Sequence, residues 1–283
     1  MNICTTVAEM RAAAGATRGG GKRLGLVPTM GALHEGHLSL VRAAKDQSDV
    51  VAVSIFVNPT QFGPNEDFSK YPRTFERDCE LLQNEGVELV FAPPVDEMYP
   101  RGAVTYVTVE GLSDKLCGRS RPGHFRGVTT VVAKLFHIIE PDLALFGQKD
   151  AAQAAIIPRM VRDLDLAVRI VVCPIVREPD GLAMSSRNAY LNPAERQAAL
   201  VLWRALRLAA EHLAQGERQG ARLAATLCDC IAKEPLARID YVAVCDPDTL
   251  REVEQLSGTV LVVLAVYIGK TRLIDNAVLS VGD

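Results

Sequence analysis

Short runs of apolar, often β-branched residues alternate with amphipathic segments over the first 176 residues of this chain. Polar residues do not interrupt the runs at every second position, which is typical of strands buried on both faces of a parallel sheet. The amphipathic segments between them have the spacing of helices that connect parallel strands. The pattern predicts an α/β fold with strands at 23–29, 49–57, 87–94, 142–147 and 167–176, and helices at 37–47, 74–86, 128–139 and 150–164.

The character of the sequence changes after Val176. A polar loop over 177–192 is followed by two predicted helices, at 193–213 and 221–233, and two predicted strands, at 239–246 and 259–269. We therefore predict two domains. Residues 1–176 would form a Rossmann-like domain, a parallel sheet with flanking helices, in which 104–112 is an inserted hairpin. Residues 177–283 would form a smaller C-terminal α+β domain that acts as a lid.

Composition excludes several classes of protein. With 283 residues, 48% of them hydrophobic, the chain can bury a large core. Its net charge of -3 disfavours a nucleic-acid partner. The 7 cysteines are scattered without a CxxC pair, which favours buried thiols in a reducing cytoplasm over zinc ligands or disulfides. The longest apolar run, within 260–268, is too short to cross a membrane, and the N-terminus does not have the pattern of a signal peptide.

Two familiar nucleotide-binding signals fail on inspection. The segment "GATRGGGKR" at 15–23 resembles a phosphate-binding loop, but Ala16 replaces its first glycine and Arg23 replaces its Ser or Thr. It also precedes the first predicted strand instead of following it. No GxGxxG follows a predicted strand either. A nucleotide would therefore need a different binding device.

The segment "PTMGALHEGH" at 28–37 provides such a device. It places a turn at Gly31 after a predicted strand, and then two imidazoles, His34 and His37, in the first turn of a predicted helix. Backbone N–H groups at a helix N-terminus, the helix dipole and two imidazole donors together favour phosphate oxygens. The alternatives are half of a zinc site and an ordinary surface pair of histidines.

Polar residues also cluster in other loops that follow predicted strands. Because the carboxyl ends of parallel strands meet at one edge of a sheet, such loops tend to line ligand sites. The candidates are Asn58 and Gln61 after the strand at 49–57, Gly147, Lys149, Asp150 and Gln153 after the strand at 142–147, Ser185, Ser186 and Arg187 in the loop over 177–192, and a basic turn of Arg121, His124 and Arg126. Taken singly, each set is equally consistent with turn residues, a helix cap or a solvated loop.

Taken in order, the segments PTMGALHEGH, FVNPTQF, YPRTFERD, RPGHFRGV, FGQKD and GLAMSSRNAYL closely resemble the pantothenate synthetase (pantoate–β-alanine ligase) family over almost the whole chain. HEGH is similar to the HIGH box of the nucleotidyltransferase superfamily, and MSSR to its KMSKS loop. The resemblance implies an AMP-forming ligase. The pantoate carboxylate would attack the α-phosphorus of ATP, releasing pyrophosphate, and the β-alanine amine would then attack the pantoyl adenylate, releasing AMP.

The resemblance also implies roles for individual residues. His34, His37, Lys149 and Arg187 would be catalytic, stabilising the charge that develops on the phosphates. Residues implied to contact ATP are Met30, Gly31, Ala32, Leu33, His34, Glu35, Gly36, His37, Gly147, Gln148, Lys149, Asp150, Val176, Met184, Ser185, Ser186 and Arg187. Within this set Gly147 and Asp150 would hold the ribose, and the backbone of Val176 and Met184 the adenine. Gln61 and Gln153 would bind pantoate. Mg²⁺ would accompany the phosphates, and no residue is implied as a metal ligand.

Two positions depart from the family pattern, in which acidic residues are common at Gln148 and glutamine at Ala152. The resemblance further implies a homodimer that acts on small molecules, without nucleic-acid or membrane partners. Two alternatives stay open from the residues alone. One is another adenylyl- or nucleotidyltransferase with the HxGH device, and the other is a non-catalytic RNA-binding module.

Overall fold

The computed structural model describes residues 1–64, 66 and 68–282. In it the chain divides into two compact units. The first unit comprises 1–147 and 156–174, and the second comprises 148–155 and 175–283. No helix in these described ranges is long and apolar enough to span a bilayer.

Six parallel strands form the sheet of the first unit. They are β1 (Asn2–Cys4), β2 (Leu24–Thr29), β3 (Val50–Ile55), β4 (Leu89–Phe91), β5 (Leu143–Gly147) and β6 (Arg169–Cys173), in the spatial order β1-β4-β3-β2-β5-β6. The predicted α/β, Rossmann-like fold is confirmed. Five strands lie within the predicted apolar runs. The sixth, β1, was missed because three residues, of which Cys4 alone is buried, are too few to show a period.

The helices of the first unit flank this sheet. They are α1 (Val7–Gly19), α2 (Glu35–Lys45), α3 (Phe75–Asn84), α4 (Val95–Met98), α5 (Cys117–Ser120) and α6 (His124–Ile139), followed by α7 (Ala151–Asp163), which begins in the second unit and ends in the first. Helix α1 was not predicted from the sequence. A local signal was present, because Thr6 and Glu9 form a capping box at its start.

The predicted hairpin over 104–112 is wrong. This segment contains no strand, and Val104 and Tyr106 are 82% and 48% exposed. Its backbone is held by side chains of α6 instead of a partner strand, since Val107 N–H donates to Thr130 Oγ1 (3.0 Å) and Thr129 Oγ1 donates to the Val107 carbonyl (2.6 Å). The apolar residues of this segment do not share one face, because Val109 is buried whereas Val104 and Tyr106 are exposed.

The second unit has an antiparallel sheet in the order β7-β8-β9, formed by β7 (Ala237–Cys245), β8 (Gly258–Ile268) and β9 (Thr271–Val281). Its other elements are α8 (Pro193–Ala198), α9 (Leu200–Ala214) and α10 (Gly220–Ala232). The predicted helix over 193–213 is thus divided at Ala199. A core from Leu206, Leu227 and Val262 joins the helices to the sheet. The strand β9 was missed because Asp275 and Asn276 interrupt its apolar run.

All seven cysteines are thiols. Cys4, Cys117, Cys173 and Cys245 are buried as expected, whereas Cys79, Cys228 and Cys230 are only half-buried.

Candidate active site

The loop after β2 is shaped by a buried carboxylate that the sequence analysis did not single out. Asp78, on α3, is 0% exposed and accepts N–H bonds from both Ala32 and Leu33, each at 2.8 Å. Thr74 Oγ1 donates to the same carboxylate at 3.1 Å. Ala32 has a φ of 51°, a left-handed conformation that is strained for alanine, so the two hydrogen bonds hold the loop in a shape it would not adopt alone.

Gly31 is required in this loop for two reasons. Its φ of 79° favours glycine, and a Cβ would lie 3.0 Å from Asp78 Oδ2 and 3.1 Å from Ile55 Cγ2. Its N–H donates to Thr29 Oγ1 at 3.1 Å, and that hydroxyl donates to the Ser54 carbonyl at 2.7 Å. The turn between β2 and α2 is therefore tied to β3 and α3.

The two histidines cap the helix that they begin. His34 Nδ1 accepts the Gly36 N–H at 3.1 Å, and His37 Nδ1 accepts the His34 N–H at 3.3 Å, an arrangement like a capping box. The ring centroids are 4.1 Å apart. Some of the N–H groups that the sequence analysis took to be free are thus occupied by the imidazoles. Because a neutral imidazole has one N–H, acceptance at Nδ1 places the proton of each ring on Nε2 as a donor.

The position of this loop in the sheet is that of a ligand site. From β2 the chain proceeds to β3 on one side, while β5 pairs with β2 on the other, so the strand order reverses between β2 and β5. Open parallel sheets bind ligands at the carboxyl ends of strands at such a point. Gly147, the last residue of β5, lies at the same edge as the loop after β2.

Gln61 reaches the same loop, because its Nε2 contacts Met30 Sδ at 3.0 Å. Asn58 sets the direction of this amide. Asn58 is 1% exposed, and its Nδ2 donates both to the Gly127 carbonyl (3.0 Å) and to Gln61 Oε1 (3.1 Å). A backbone carbonyl can only accept, so the Asn58 amide has one possible orientation, and Gln61 must turn its NH₂ group toward Met30.

The basic turn predicted at Arg121 and His124 contacts the backbone carbonyl of Gln61. His124 Nδ1 lies 2.7 Å from the Gln61 carbonyl, and Arg121 Nη2 donates to it at 3.3 Å. Arg121 also pairs with Glu66 at 2.5 Å. Burial alone would raise the pKa of Glu66, but the Arg121 guanidinium outweighs burial and holds that pKa below its usual value. The third predicted member, Arg126, lies over the Tyr106 ring, with its Cζ 4.7 Å from the ring centroid.

Glu35 is directed differently from the other loop residues. Its carboxylate pairs with Arg42 on the exposed side of α2, and Arg42 pairs in turn with Glu85 at 2.5 Å. Any ATP contact from Glu35 would therefore come from its backbone.

In the second unit, Asn276 fixes the start of the segment that contains Lys149. Asn276 is 2% exposed, and its Nδ2 donates to the carbonyls of Gln148 (2.9 Å) and Lys149 (3.0 Å). Gln148 Nε2 returns a bond to Asn276 Oδ1 at 3.0 Å. This second anchor was also missed, although a polar pair inside the apolar run "RLIDNAVL" was a visible signal. Gln148, a departure from the family pattern, thus has a structural partner.

Asp150 and Gln153 follow at the N-terminus of α7. The Asp150 carbonyl accepts the Ala154 N–H at 2.9 Å, and its side chain is exposed. Gln153 is half-buried one turn later, a spacing of three that places both side chains on one face of the helix.

The loop with Ser185 to Arg187 is held by a short pairing of backbone. Met184 N–H donates to the Val176 carbonyl at 3.0 Å, so the two residues predicted to meet adenine lie side by side and this N–H is occupied. Ser185 Oγ accepts the Arg187 N–H at 3.3 Å and caps the 3-10 turn Ser186–Tyr190.

The preceding loop is anchored by a buried ion pair. Arg177 binds Asp275 through two bonds, of 2.7 and 2.9 Å, and lies over the Trp203 ring with its Cζ 4.2 Å from the centroid. In the part of the chain that the structure describes, no group of three His, Cys, Asp or Glu side chains could hold a metal ion.

Comparison with known proteins identifies the family. The model of the pantoate–β-alanine ligase family matches residues 2–278. The chain belongs to this family. Pantothenate synthetase of Acidobacterium capsulatum is 61% identical over 99% of this chain and 97% of its own length, and that of Moorella thermoacetica is 59% identical over 100% of both.

Solved structures agree with this assignment. A pantothenate synthetase from Thermus thermophilus superposes with a TM-score of 0.92 at 46% identity, covering 98% of this chain and 99% of the other. The pantoate–β-alanine ligase of Francisella tularensis, described as complexed with beta-gamma ATP and beta-alanine, superposes with a TM-score of 0.78 at 34% identity, covering 98% and 97%.

The chain is therefore a pantoate–β-alanine ligase that condenses pantoate with β-alanine, using ATP and forming a pantoyl adenylate. This confirms the reaction that the resemblance implied. It also decides against the two alternatives, a different HxGH transferase and a non-catalytic RNA-binding module.

Proposed function

We propose that the implied residues carry the two half-reactions, each unit contributing a defined set. In the first unit, the Met30–His37 loop would bind ATP and Gln61 would bind pantoate. In the second unit, Lys149, Ser185, Ser186 and Arg187 would bind the β- and γ-phosphates, and Gln153 would bind pantoate. The predicted boundary between a domain of 1–176 and a lid of 177–283 remains part of this proposal.

The observation that carries the proposal is the mutual capping of His34 and His37. It leaves each ring with its proton on Nε2, as a donor next to a helix N-terminus at the reversal point of the sheet. Such donors, held in place before the reaction, stabilise the negative charge that grows on the phosphates as pyrophosphate leaves. Electrostatic stabilisation of this kind needs no transfer of a proton from His37.

Gln61 would orient pantoate through the NH₂ group of its side-chain amide. Because Asn58 turns the Gln61 NH₂ group toward Met30, this amide offers hydrogens to an acceptor. A carboxylate or hydroxyl oxygen of pantoate is such an acceptor. Holding the carboxylate in line with the α-phosphorus can contribute of order ~7–11 kcal/mol at best.

Mg²⁺ and the assembly state belong to the same proposal. The ammonium, guanidinium and hydroxyl donors of the second unit suit phosphate oxygens, and Mg²⁺ in such sites is bound mainly through phosphates and water. When bound it would neutralise charge on the triphosphate. We further propose a cytoplasmic homodimer whose partners are small molecules and not nucleic acid; light scattering on the purified protein tests the dimer.

The direct test follows each half-reaction separately. The protein with MgATP and (R)-pantoate should release pyrophosphate, and AMP should appear at the full rate only when β-alanine is added. The controls omit pantoate, replace it with the (S)-enantiomer, or remove Mg²⁺ with a chelator. Pyrophosphate release that is equal with and without pantoate would refute the assignment of the first step.

The histidine assignment has its own test. His37→Ala removes one donor from the developing charge and should lower kcat by ~10²–10³ fold. Ser39→Ala, on the same helix, removes a hydroxyl bonded to the Gly36 carbonyl and serves as a matched control with little effect expected. An unchanged kcat in His37→Ala would limit that histidine to capping the helix.

A further inference from the structure

The first unit contains a cavity at the carboxyl edge of the sheet. It has a volume of about 350 Å³, within the range of small-molecule sites. It lies beyond the ends of β1, β4, β3 and β2, on the opposite side of β2 from β5 and Gly147. Neither Gln61 nor either histidine lines it. The cavity is therefore distinct from the positions of Gln61 and the two histidines, although Met30 and Gly31 of the loop proposed to bind ATP form part of its wall.

The walls of this cavity are mainly apolar. They are formed by the ends of β3 and β4, with Phe75 and Val95 contributed by α3 and α4. Residues of the strand ends that line it are Ile55, Phe56, Val57, Ala92, Pro93 and Pro94. A ligand with several hydroxyl groups would lose hydrogen bonds here, because few wall atoms could replace those made by water. The walls favour a flat or branched hydrocarbon body.

The cavity is lined by one carboxylate, of Asp78, and one guanidinium, of Arg73, and of these two groups the guanidinium is the one that is exposed. The carboxylate of Asp78 is occupied by two backbone N–H groups and a hydroxyl. Arg73, by contrast, is exposed, and it donates to the carbonyls of Tyr71 and Phe68 at 3.4 Å each, near the outer limit of a hydrogen bond. Its Cζ also lies 5.3 Å from the centroid of the Phe68 ring. An exposed guanidinium with two long hydrogen bonds and one ring contact favours a carboxylate, which it can bind through two parallel bonds.

We propose that this cavity is a binding site for a small monocarboxylate with an aromatic or branched apolar body and no hydroxyl groups. The carboxylate binds Arg73, and the body packs against Phe56 and Pro93. Pantoate, which has two hydroxyl groups, is a poor occupant.

One wall of the cavity is formed by the loop proposed to bind ATP. A ligand in the cavity therefore regulates the binding of ATP. Met30 and Gly31 line the cavity, and Asp78 holds Ala32 and Leu33 directly behind. A ligand there bears on a loop whose conformation is strained, so it changes the affinity for ATP. This step rests on the proposed role of the loop, whereas binding itself does not.

Binding is tested with phenylacetate, followed by NMR titration of the full-length protein. A ligand of this size should bind with a Kd of about 1 mM. Phenylacetamide, which has the same shape without the charge, should bind at least about fivefold more weakly. Arg73→Met should weaken phenylacetate by a similar factor, and Val95→Trp, which fills the cavity from an exposed position, should abolish binding. Arg77→Met, an exposed arginine of α3 outside the cavity, and Gln61→Ala should leave the Kd unchanged.

Three results would overturn the site. The first is the absence of saturable binding, and the second is binding that Arg73→Met and Val95→Trp leave intact. The third is binding lost in Gln61→Ala, which would place phenylacetate in the pantoate site. Coupling is read separately, as a change of at least about twofold in the KM for ATP that disappears in Val95→Trp. If phenylacetate binds and the KM for ATP is unchanged, the coupling is refuted. If phenylacetate binds but the protein releases no pyrophosphate with pantoate, the proposed function is refuted and the cavity site stands.

Discussion

Replacing Asp78 by asparagine should damage both stability and catalysis, although the two side chains have almost the same shape. In the wild type each carboxylate oxygen accepts one backbone N–H at 2.8 Å, from Ala32 and Leu33. Asparagine has one accepting oxygen, so its NH₂ group must face one of these donors. The variant loses a bond to a charged group, about 1.5–3 kcal/mol, and leaves a buried N–H unpaired, about 1–3 kcal/mol. We expect a loss of roughly 2–4 kcal/mol, since part of the second contribution is relieved by relaxation.

The same change should release the strained loop that precedes His34. A displacement of about 1 Å in a positioned group lowers activity by about 10², so kcat/KM for ATP should fall between tenfold and a hundredfold. Calorimetry measures the stability loss, and pyrophosphate release measures the activity. Two controls separate the causes. Thr74→Val removes only the hydroxyl bond and should lose about 1 kcal/mol. Asp163→Asn weakens an exposed ion pair with Arg159 on α7 and should change stability by less than about 0.5 kcal/mol. If Asp78→Asn matched the wild type in both assays, the carboxylate would not be what holds this loop.

Three further changes probe the supports of the site. Because the Arg121 partner holds the pKa of Glu66 below 4.5, its contribution to stability is present above the unfolded value and is lost as pH falls through the lower folded pKa. The difference in Tm between wild type and Glu66→Gln should thus be constant from about pH 7 to pH 5 and shrink below about pH 4; a constant difference to pH 3 would contradict this. Gly127→Ala places a Cβ 2.4 Å from the Thr60 carbonyl oxygen. It should lower stability by about 1–3 kcal/mol or more and raise the KM for pantoate. Gly15→Ala is the control: a Cβ there meets nothing within 4 Å, so calorimetry should show a neutral or stabilising change. Asn276→Ala removes the bonds that hold the Lys149 segment and should raise the KM for ATP about tenfold; an unchanged KM would show that the segment keeps its position without them.

The elements that can be predicted from the sequence are those that depend on interactions between residues close together in the chain. The strands β2, β3, β5 and β8 are uninterrupted apolar runs bounded by polar turns, and this local pattern is enough to predict them. The pair His34 and His37 is found by spacing, because three residues on a helix bring two side chains together. The failures have the same origin. The strand β1 is too short to show a period, and an apolar-rich segment such as 104–112 is compatible both with a hairpin and with a strand-free segment whose backbone is bonded to side chains of α6.

What the sequence could not show is which buried polar groups hold the site loops in place. Asp78 meets Ala32 across 46 positions, and Asn276 meets Gln148 across 128. Neither pairing leaves a periodic signal, because each depends on the sheet being assembled first. Buried polar groups are nevertheless under a strict requirement, since an unpaired one costs about 1–3 kcal/mol. A polar residue inside an apolar run, such as Asn276 in β9, therefore indicates that a partner exists even where the sequence cannot name it. The partners found here are backbone groups in the segments that contain His34 and Lys149, the residues proposed to contact ATP.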